Sequence, residues 1–400
     1  MPLPTPLHKR TSQLCETQEW REWAGYFSAV SYQHSHEIEY YAIRNSAGLL
    51  DVSPLFKYEI EGRDALRLVN RIMTRDLRKC KVGQMMYSAW CDEDGKVIDD
   101  GTIARLSENH FRLTAADPSL RWFQDCGIGM DVQVRDVSAE LAALALQGPN
   151  ARAILKGVLG ENGLDKLAYY HLLEAKFKGI PLTVTRTGYT GDLGYELWIS
   201  AEHALNLWDR LTSVGAGYGL LPVGLAALDM TRVEAGLLLI DVDYTSTRHA
   251  LIPSQESTPY ELGLGWAVEL DQPDFIGQKA LIKEKGNGSE RKFVGLEVAW
   301  GELDNLFAEV DLPPQVAGRA SRNPVPLYAN GKHIGQATSM LFSPLLKKYV
   351  ALAMVESEFA KNGQKLDMEI TVEYERKRAS SIVVKLPFYN PQQKKSLVNG

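Results

Sequence analysis

What this chain lacks narrows it first. It holds four cysteines in 400 residues, Cys15, Cys80, Cys91 and Cys126, and no two of them form a C-x-x-C pair. That spacing excludes a zinc ribbon or a disulfide framework and fits reduced thiols. No apolar run, Leu237–Ile240 included, approaches the roughly 18 residues of a spanning helix. The opening Met-Pro-Leu-Pro-Thr-Pro has no basic stretch leading into an apolar one, so no secretory signal is expected and a cytoplasmic location is the default. An excess of positive charge is missing too. The 44 Lys and Arg against 50 Asp and Glu give a net charge of −6, which argues against nucleic acid as a partner. His34 and His36 flank one residue without a carboxylate or Cys at ligand spacing, so no metal is expected. What remains, 45% apolar and 24% charged, is an ordinary globular composition with room for two or three domains.

The stretch that organises the rest is Arg186–Glu196, R-T-G-Y-T-G-D-L-G-Y-E, set between strand-like runs at Thr183–Arg186 and Tyr195–Ile199. Gly188, Gly191 and Gly194 permit positive φ and would let a flat ligand approach the main chain, while Tyr189 and Glu196 offer an aromatic face and a carboxylate from one hairpin. A planar heterocycle with adjacent N–H donors suits that pair, because one carboxylate accepts two parallel hydrogen bonds and a ring covers the heterocycle's face. The alternative is a plain glycine-rich hairpin with a surface Glu.

Strands alternate with helices along the first 280 residues, and several strands pair as hairpins, such as Met85–Cys91 with Val97–Arg105 across Asp94-Gly95. That pattern predicts an α+β fold rather than a doubly wound sheet. The composition between about 284 and 292 reads as a solvated linker. Beyond it short strands crowd together around the turn Ala329-Asn330-Gly331 and predict a small closing β-barrel, with 301–321 as a loop insertion. The expected domains are 1–285 and 291–390. Residues 361–400 carry eight Lys and Arg against four acids, which face either solvent or the anionic tail of a ligand.

Two further groups carry candidate chemistry. Asp99 and Asp100 sit side by side on a strand, so their side chains leave by opposite faces and one points inward, where burial suits a carboxylate to proton transfer. Arg232 lies on a helix-like run, three residues after Asp229. It either bridges to that carboxylate or reaches a ligand acceptor.

Gly95-Lys-Val-Ile-Asp-Asp100, Leu146-Gln-Gly-Pro149, Arg186-x-Gly-Tyr-Thr-Gly-x-x-Gly-x-Glu196, Thr231-Arg-Val-Glu-Ala-Gly236 and Thr258-Pro-x-Glu-x-Gly-Leu-Gly-Trp266 stand in one order. In this the chain, from about Ser46 to Phe388, resembles the glycine cleavage T-protein (aminomethyltransferase) family with its tetrahydrofolate-dependent demethylase relatives. The resemblance implies a folate-binding α+β core around a central channel, a C-terminal β-barrel, and tetrahydrofolate bound pterin-first. It implies Asp100 as the catalytic aspartate, and Tyr87, Tyr189, Glu196, Arg232 and Trp266 as cofactor contacts. The chain departs from the family at Glu22-Trp-Ala-Gly-Tyr26, at the lengthened segment from Leu237 to Ser257, and at Thr338-Ser-Met340. In the family these positions border the donor side. The first expectation is therefore a demethylase that moves a methyl group from a small O-, N- or S-methylated donor to tetrahydrofolate. The alternatives are an aminomethyltransferase acting on the lipoyl arm of H-protein, and a folate-binding protein without transfer chemistry.

Overall fold

Two large sheets, a short N-terminal hairpin and a closed barrel carry the chain in a computed structural model, described over residues 1–160, 163–316 and 318–397. The six-stranded sheet runs in the order Leu172–Phe177, Ile180–Thr185, Gly194–Ser200, Leu141–Gln147, Ala47–Asp51 and Leu220–Pro222, and its final pair is parallel. The five-stranded sheet runs Met85–Cys91, Val97–Ser107, His110–Ala115, Phe56–Glu61 and Gln133–Asp136. The barrel closes Arg291–Val298, Lys348–Glu356, Lys332–Ser343, Val325–Ala329, Lys365–Val372 and Glu375–Val384. This is the α+β core and terminal barrel of the expected fold class. No helix among the described residues is long and apolar enough to cross a membrane.

Each sheet builds its own core. The helix Ala204–Gly215 buries Ala204, Leu207, Trp208 and Leu211, spaced i, i+3, i+4, i+7, against the six-stranded sheet. The helix Ala65–Ile72 does the same for the five-stranded sheet through Leu68, Val69 and Ile72. The helix Leu225–Glu234 differs, because Asp229, Arg232 and Glu234 are buried with its apolar residues and need partners. Glu234 finds them in Arg44, at 2.6 and 2.9 Å, Tyr40 Oη at 2.6 Å and Ser343 Oγ at 2.5 Å. Arg44 also donates to the Thr190 carbonyl at 2.9 Å. One buried ion pair thus joins an N-terminal helix, the glycine-rich loop, the central helix and the barrel.

Three local expectations are corrected. Residues 284–287 belong to the helix Gln278–Asn287, since Lys and Glu are good helix formers as well as linker residues. The segment taken as a loop insertion opens with the helix Trp300–Ala308, whose Leu303 and Phe307 enter the barrel core at i, i+4 spacing. Of the three loop glycines only Gly191 has positive φ, at +79°. Gly188 and Gly194 are needed for a different reason: a Cβ on either would meet the Gln147 side chain at 2.0 and 2.1 Å. The group that approaches the main chain there is a protein amide.

Replacing Arg44 by Met keeps the volume but leaves Glu234 a buried carboxylate without its cation. The variant should lose about 3–5 kcal/mol of stability, read as a lower denaturant midpoint at unchanged m-value. A loss below about 1 kcal/mol would mean that the pair does not hold these elements together.

Candidate functional site

A cavity of about 310 Å³ opens where the two sheets, the central helix and the N-terminal hairpin Trp20–Ala29 meet. Tyr87, Asp100, Thr102 and Thr114 line it from the five-stranded sheet; Ala145, Gln147, Glu196 and Trp198 line it from the six-stranded one.

Glu196 enters from the strand Gly194–Ser200, opposite Thr185 in register. Its Oε2 accepts a hydrogen bond from Thr187 Oγ1 at 2.7 Å and a longer one from Thr185 Oγ1 at 3.5 Å. Oε1 takes none from the described residues. Burial raises the carboxyl above its usual range and the threonine hydroxyls pull the other way. A half-satisfied carboxylate facing a cavity is an acceptor for paired N–H donors of a ligand.

The strand Val97–Ser107 sends its two aspartates to different tasks. Asp99 is fully buried and accepts the backbone N–H groups of Asp100 at 2.7 Å and of Ala116 and Asp117 at 3.0 Å. Burial first, and then the neighbouring Asp100 charge, push its carboxyl well up. Asp100 faces the cavity. Tyr87 Oη donates to its Oδ2 at 2.6 Å and Tyr244 Oη to its Oδ1 at 2.5 Å. Burial raises this carboxyl as well, opposed by the Tyr244 and Tyr87 hydrogen bonds. Both phenols are themselves pushed far above their usual range, chiefly by burial, so they act as donors.

Tyr244 belongs to the lengthened segment, which is tied down at several points. Asp243 receives Arg232, Ser339 Oγ at 2.7 Å and Thr338 Oγ1 at 2.6 Å. A register shift between Ala337 and Ser339 accompanies the pairing of these two barrel residues with one carboxylate. His249 lies between Asp241 at 2.9 Å and Asp117 at 3.0 Å. Tyr189 Oη donates to the Leu238 carbonyl. Leu237–Ile240 line the cavity, as do Glu22 and Trp23, whereas Met340 packs in the barrel core. Two of the three departures therefore border the cavity, and the third holds Asp243 through Thr338 and Ser339 while Met340 packs in the barrel.

Tyr87, Asp100, Tyr189, Glu196 and Arg232 all line this one space. The Arg232 guanidinium is engaged by Asp229 at 2.7 Å, Asp243, Ser339 at 2.8 Å and the Leu237 carbonyl at 3.2 Å, so the bridge to Asp229 forms and its donors point into the protein. Trp266 is not in the lining. It is 60% exposed and stacks on Tyr87 with ring centroids 5.9 Å apart, with Arg75 5.5 Å from its ring centroid. From the basic C-terminal stretch, Lys394 lines the cavity and lies 5.6 Å from the Tyr169 ring centroid. Sequence reasoning missed Tyr244, Thr187, Arg21 and Arg322, and offered Lys394 only as one basic residue of the 361–400 stretch. The departures from the family pattern near residues 22–26 and 237–257 pointed toward Arg21 and Tyr244 at most.

A family model described as the GCVT N-terminal domain matches residues 7–272, and one described as the glycine cleavage T-protein C-terminal barrel domain matches residues 311–390. The chain is 33% identical over 379 residues to an aminomethyltransferase of Thermoanaerobacter sp. (strain X514), covering 94% of each chain. It is 34% identical over 368 residues to an aminomethyltransferase of Bacillus subtilis (strain 168), covering 91% of each. Among solved structures it is similar to glycine cleavage system aminomethyltransferase T from Bartonella henselae, with a TM-score of 0.81 at 27% identity over 98% of this chain and 99% of that one.

Each phenol donor favours the ionised form of Asp100, so removing one must raise the carboxyl further. In Tyr244→Phe the Asp100 side chain, followed by carboxyl carbon-13 NMR, should titrate at higher pH than in the parent protein. An unmoved titration would mean that the Tyr244 hydrogen bond does not form in solution.

Proposed function

We propose, since the chain belongs to the glycine cleavage T-protein family, that its cavity binds tetrahydrofolate and that the protein is a folate-dependent one-carbon transferase. The observation that carries this is the pairing of Glu196, with one carboxylate oxygen unused by the described residues, and Asp100, held between two phenols, in one cavity. The residues fit the group. Glu196 would accept the paired N–H donors of the pterin, Tyr189 would cover its face, and Tyr87 with Trp266 would flank the route outward. When bound, tetrahydrofolate supplies the nitrogen nucleophile that takes up the one-carbon unit.

The remaining work falls to the protein. A folate seated in the cavity would displace water from its largely apolar walls, which would strengthen the hydrogen bonds inside. Asp100 holds or accepts a proton beside the reacting nitrogen, at an ionisation set by burial against Tyr87 and Tyr244. Arg232 and Asp243 fix the wall that carries Tyr244, so acceptor and donor meet in a constant geometry, the main source of rate when no covalent nucleophile is required.

The relatives support aminomethyl transfer as the reaction, with H-protein as the carrier of the donor group. A small methylated donor is the second reading. The lengthened segment favours it, because Leu237–Ile240 line the cavity and Tyr244 completes the Asp100 site. Supplying enzyme and tetrahydrofolate with aminomethyl-loaded H-protein, or with a panel of methylated amines, sulfonium compounds and aryl methyl ethers, separates the two. Ammonia release from the carrier at about 1 s⁻¹ or faster supports the first reading; demethylation confined to the panel supports the second.

Two substitutions test the shared core of the proposal. Glu196→Gln should weaken tetrahydrofolate binding by about 2–4 kcal/mol in a calorimetric titration. Asp100→Asn should lower turnover about 100-fold or more while sparing that affinity. Unchanged affinity in the first variant, or unchanged turnover in the second, removes the role given to that residue.

A further inference from the structure

Beyond Glu196 the space between the two sheets does not end. A second cavity, of about 380 Å³, is lined by Leu106, His110 and Arg112 from the five-stranded sheet and by Leu141, Thr183 and Ser200 from the six-stranded one. The exposed residues Glu174 and Pro181 stand at its edge, so it opens to solvent. Side chains two apart on a strand share a face, and Glu196, Trp198 and Ser200 follow one another in this way along Gly194–Ser200. Glu196 lines the first cavity, Ser200 lines the second, and Trp198 alone among the described residues lines both.

The same succession runs along the neighbouring strands. Ala145 lines the first cavity and Leu141 the second, and between them Ala143 stands opposite Trp198 in register. On the strand Val97–Ser107 Thr102 lines the first cavity and Leu106 the second, with Ala104 between; on the strand His110–Ala115 Thr114 and Arg112 divide likewise. Packed sheets lie about 10 Å apart, a distance that an alanine methyl cannot cross and an indole largely fills. Trp198 is 4% exposed and belongs to one packed cluster with Ala143 and with Val52, which lines the first cavity. The boundary between the two spaces is therefore a single large side chain.

We propose that Trp198 is the partition that keeps water of the second cavity from the reacting carbon, and so decides whether the one-carbon unit is transferred or hydrolysed. This rests on the one-carbon-transferase reading in its aminomethyl form and adds what sets its product. An aminomethyl carbon held between a sulfur and a nitrogen is already at the oxidation level of formaldehyde. Water that reached it would supply the carbonyl oxygen: the carbon–sulfur and carbon–nitrogen bonds break, thiol and amine each leave with one of the water's protons, and the carbon departs as formaldehyde. No oxidant or reductant is needed. The same two bonds break in transfer, so the product is set by which nucleophile has access to the carbon.

The test uses the full chain saturated with 5-deazatetrahydrofolate, which has the acceptor's shape with carbon at the reacting position. Ala145→Cys, opposite Glu196 in register, and Ser200→Cys put one thiol on each side of the indole, and the four native cysteines are buried. Methyl methanethiosulfonate should modify Ser200→Cys at least about tenfold faster than Ala145→Cys, and adding Trp198→Leu to Ala145→Cys should remove that protection. With aminomethyl-loaded H-protein as donor, Trp198→Leu should release formaldehyde at least about tenfold faster than the parent, while Trp198→Phe stays near the parent. Equal labelling of the two thiols with Trp198 intact overturns the proposal, even if Trp198→Leu does not fold. So does a folded Trp198→Leu that binds tetrahydrofolate yet releases no more formaldehyde than the parent. Titrating the parent calorimetrically with tetrahydrofolate separates the failures: heat of binding with equal labelling sinks the partition alone, and no heat sinks the folate reading and this inference with it.

Discussion

One short helix, Leu225–Glu234, buries three charges, and the site depends on how they are neutralised. An ion in a protein interior costs several kcal/mol unless partners with good geometry surround it. Glu234 faces outward from the site to Arg44, Tyr40 and Ser343; Arg232 faces the other way to Asp229, Asp243 and Ser339. Their partners come from an N-terminal helix, from the lengthened segment and from two places on one barrel strand. None of these elements can leave without stranding a buried charge. The cavity walls are therefore held by a polar frame, and the apolar lining can vary without loosening it.

Within that frame Glu196 and Asp100 form no salt bridge among the described residues. Glu196 is held by threonine hydroxyls and Asp100 by phenols, so neutral donors set their ionisation against burial. A paired cation would have fixed each as a permanent anion and used the lone pairs that a ligand needs. Arg232, which lines the same cavity, is instead drawn into Asp229 and Asp243, and Arg322 into Asp229.

How far the sequence revealed this follows from how local each feature is. Tyr189 and Glu196 lie seven residues apart on one turn, so the hairpin pattern placed them together. The Asp99–Asp100 alternation promised one inward carboxylate, but its phase depended on the amides of Ala116 and Asp117, which only the folded turn brings to Asp99. The roles of Gly188 and Gly194 were hidden for the same reason, because the crowding atoms belong to Gln147 on a neighbouring strand. Tyr244 reaches Asp100 across 144 residues, and Arg322 reaches Asp229 across 93. No periodicity encodes such contacts. The helix Trp300–Ala308 was legible in its Leu303–Phe307 spacing and was masked by Pro313 and Pro314 beyond it.

The same distribution explains why one side of the cavity can change while the other does not. The Glu196 side is a single hairpin braced by Gln147, and a Cβ at Gly188 or Gly194 would displace that brace. The opposite side is assembled from the N-terminal hairpin, held where Glu19 pairs with Arg319, and from the 237–257 segment and the lead into the barrel, fastened through the carboxylates of Asp243 and Asp229. Residues that point from these pieces into the cavity, such as Trp23, Leu239 and Arg21, carry none of that fastening. They can be exchanged at small cost, because the energetic penalty sits on the anchors behind them. A new second ligand is therefore reached by altering three short, separately anchored pieces, with the acidic acceptor and Asp100 left in place.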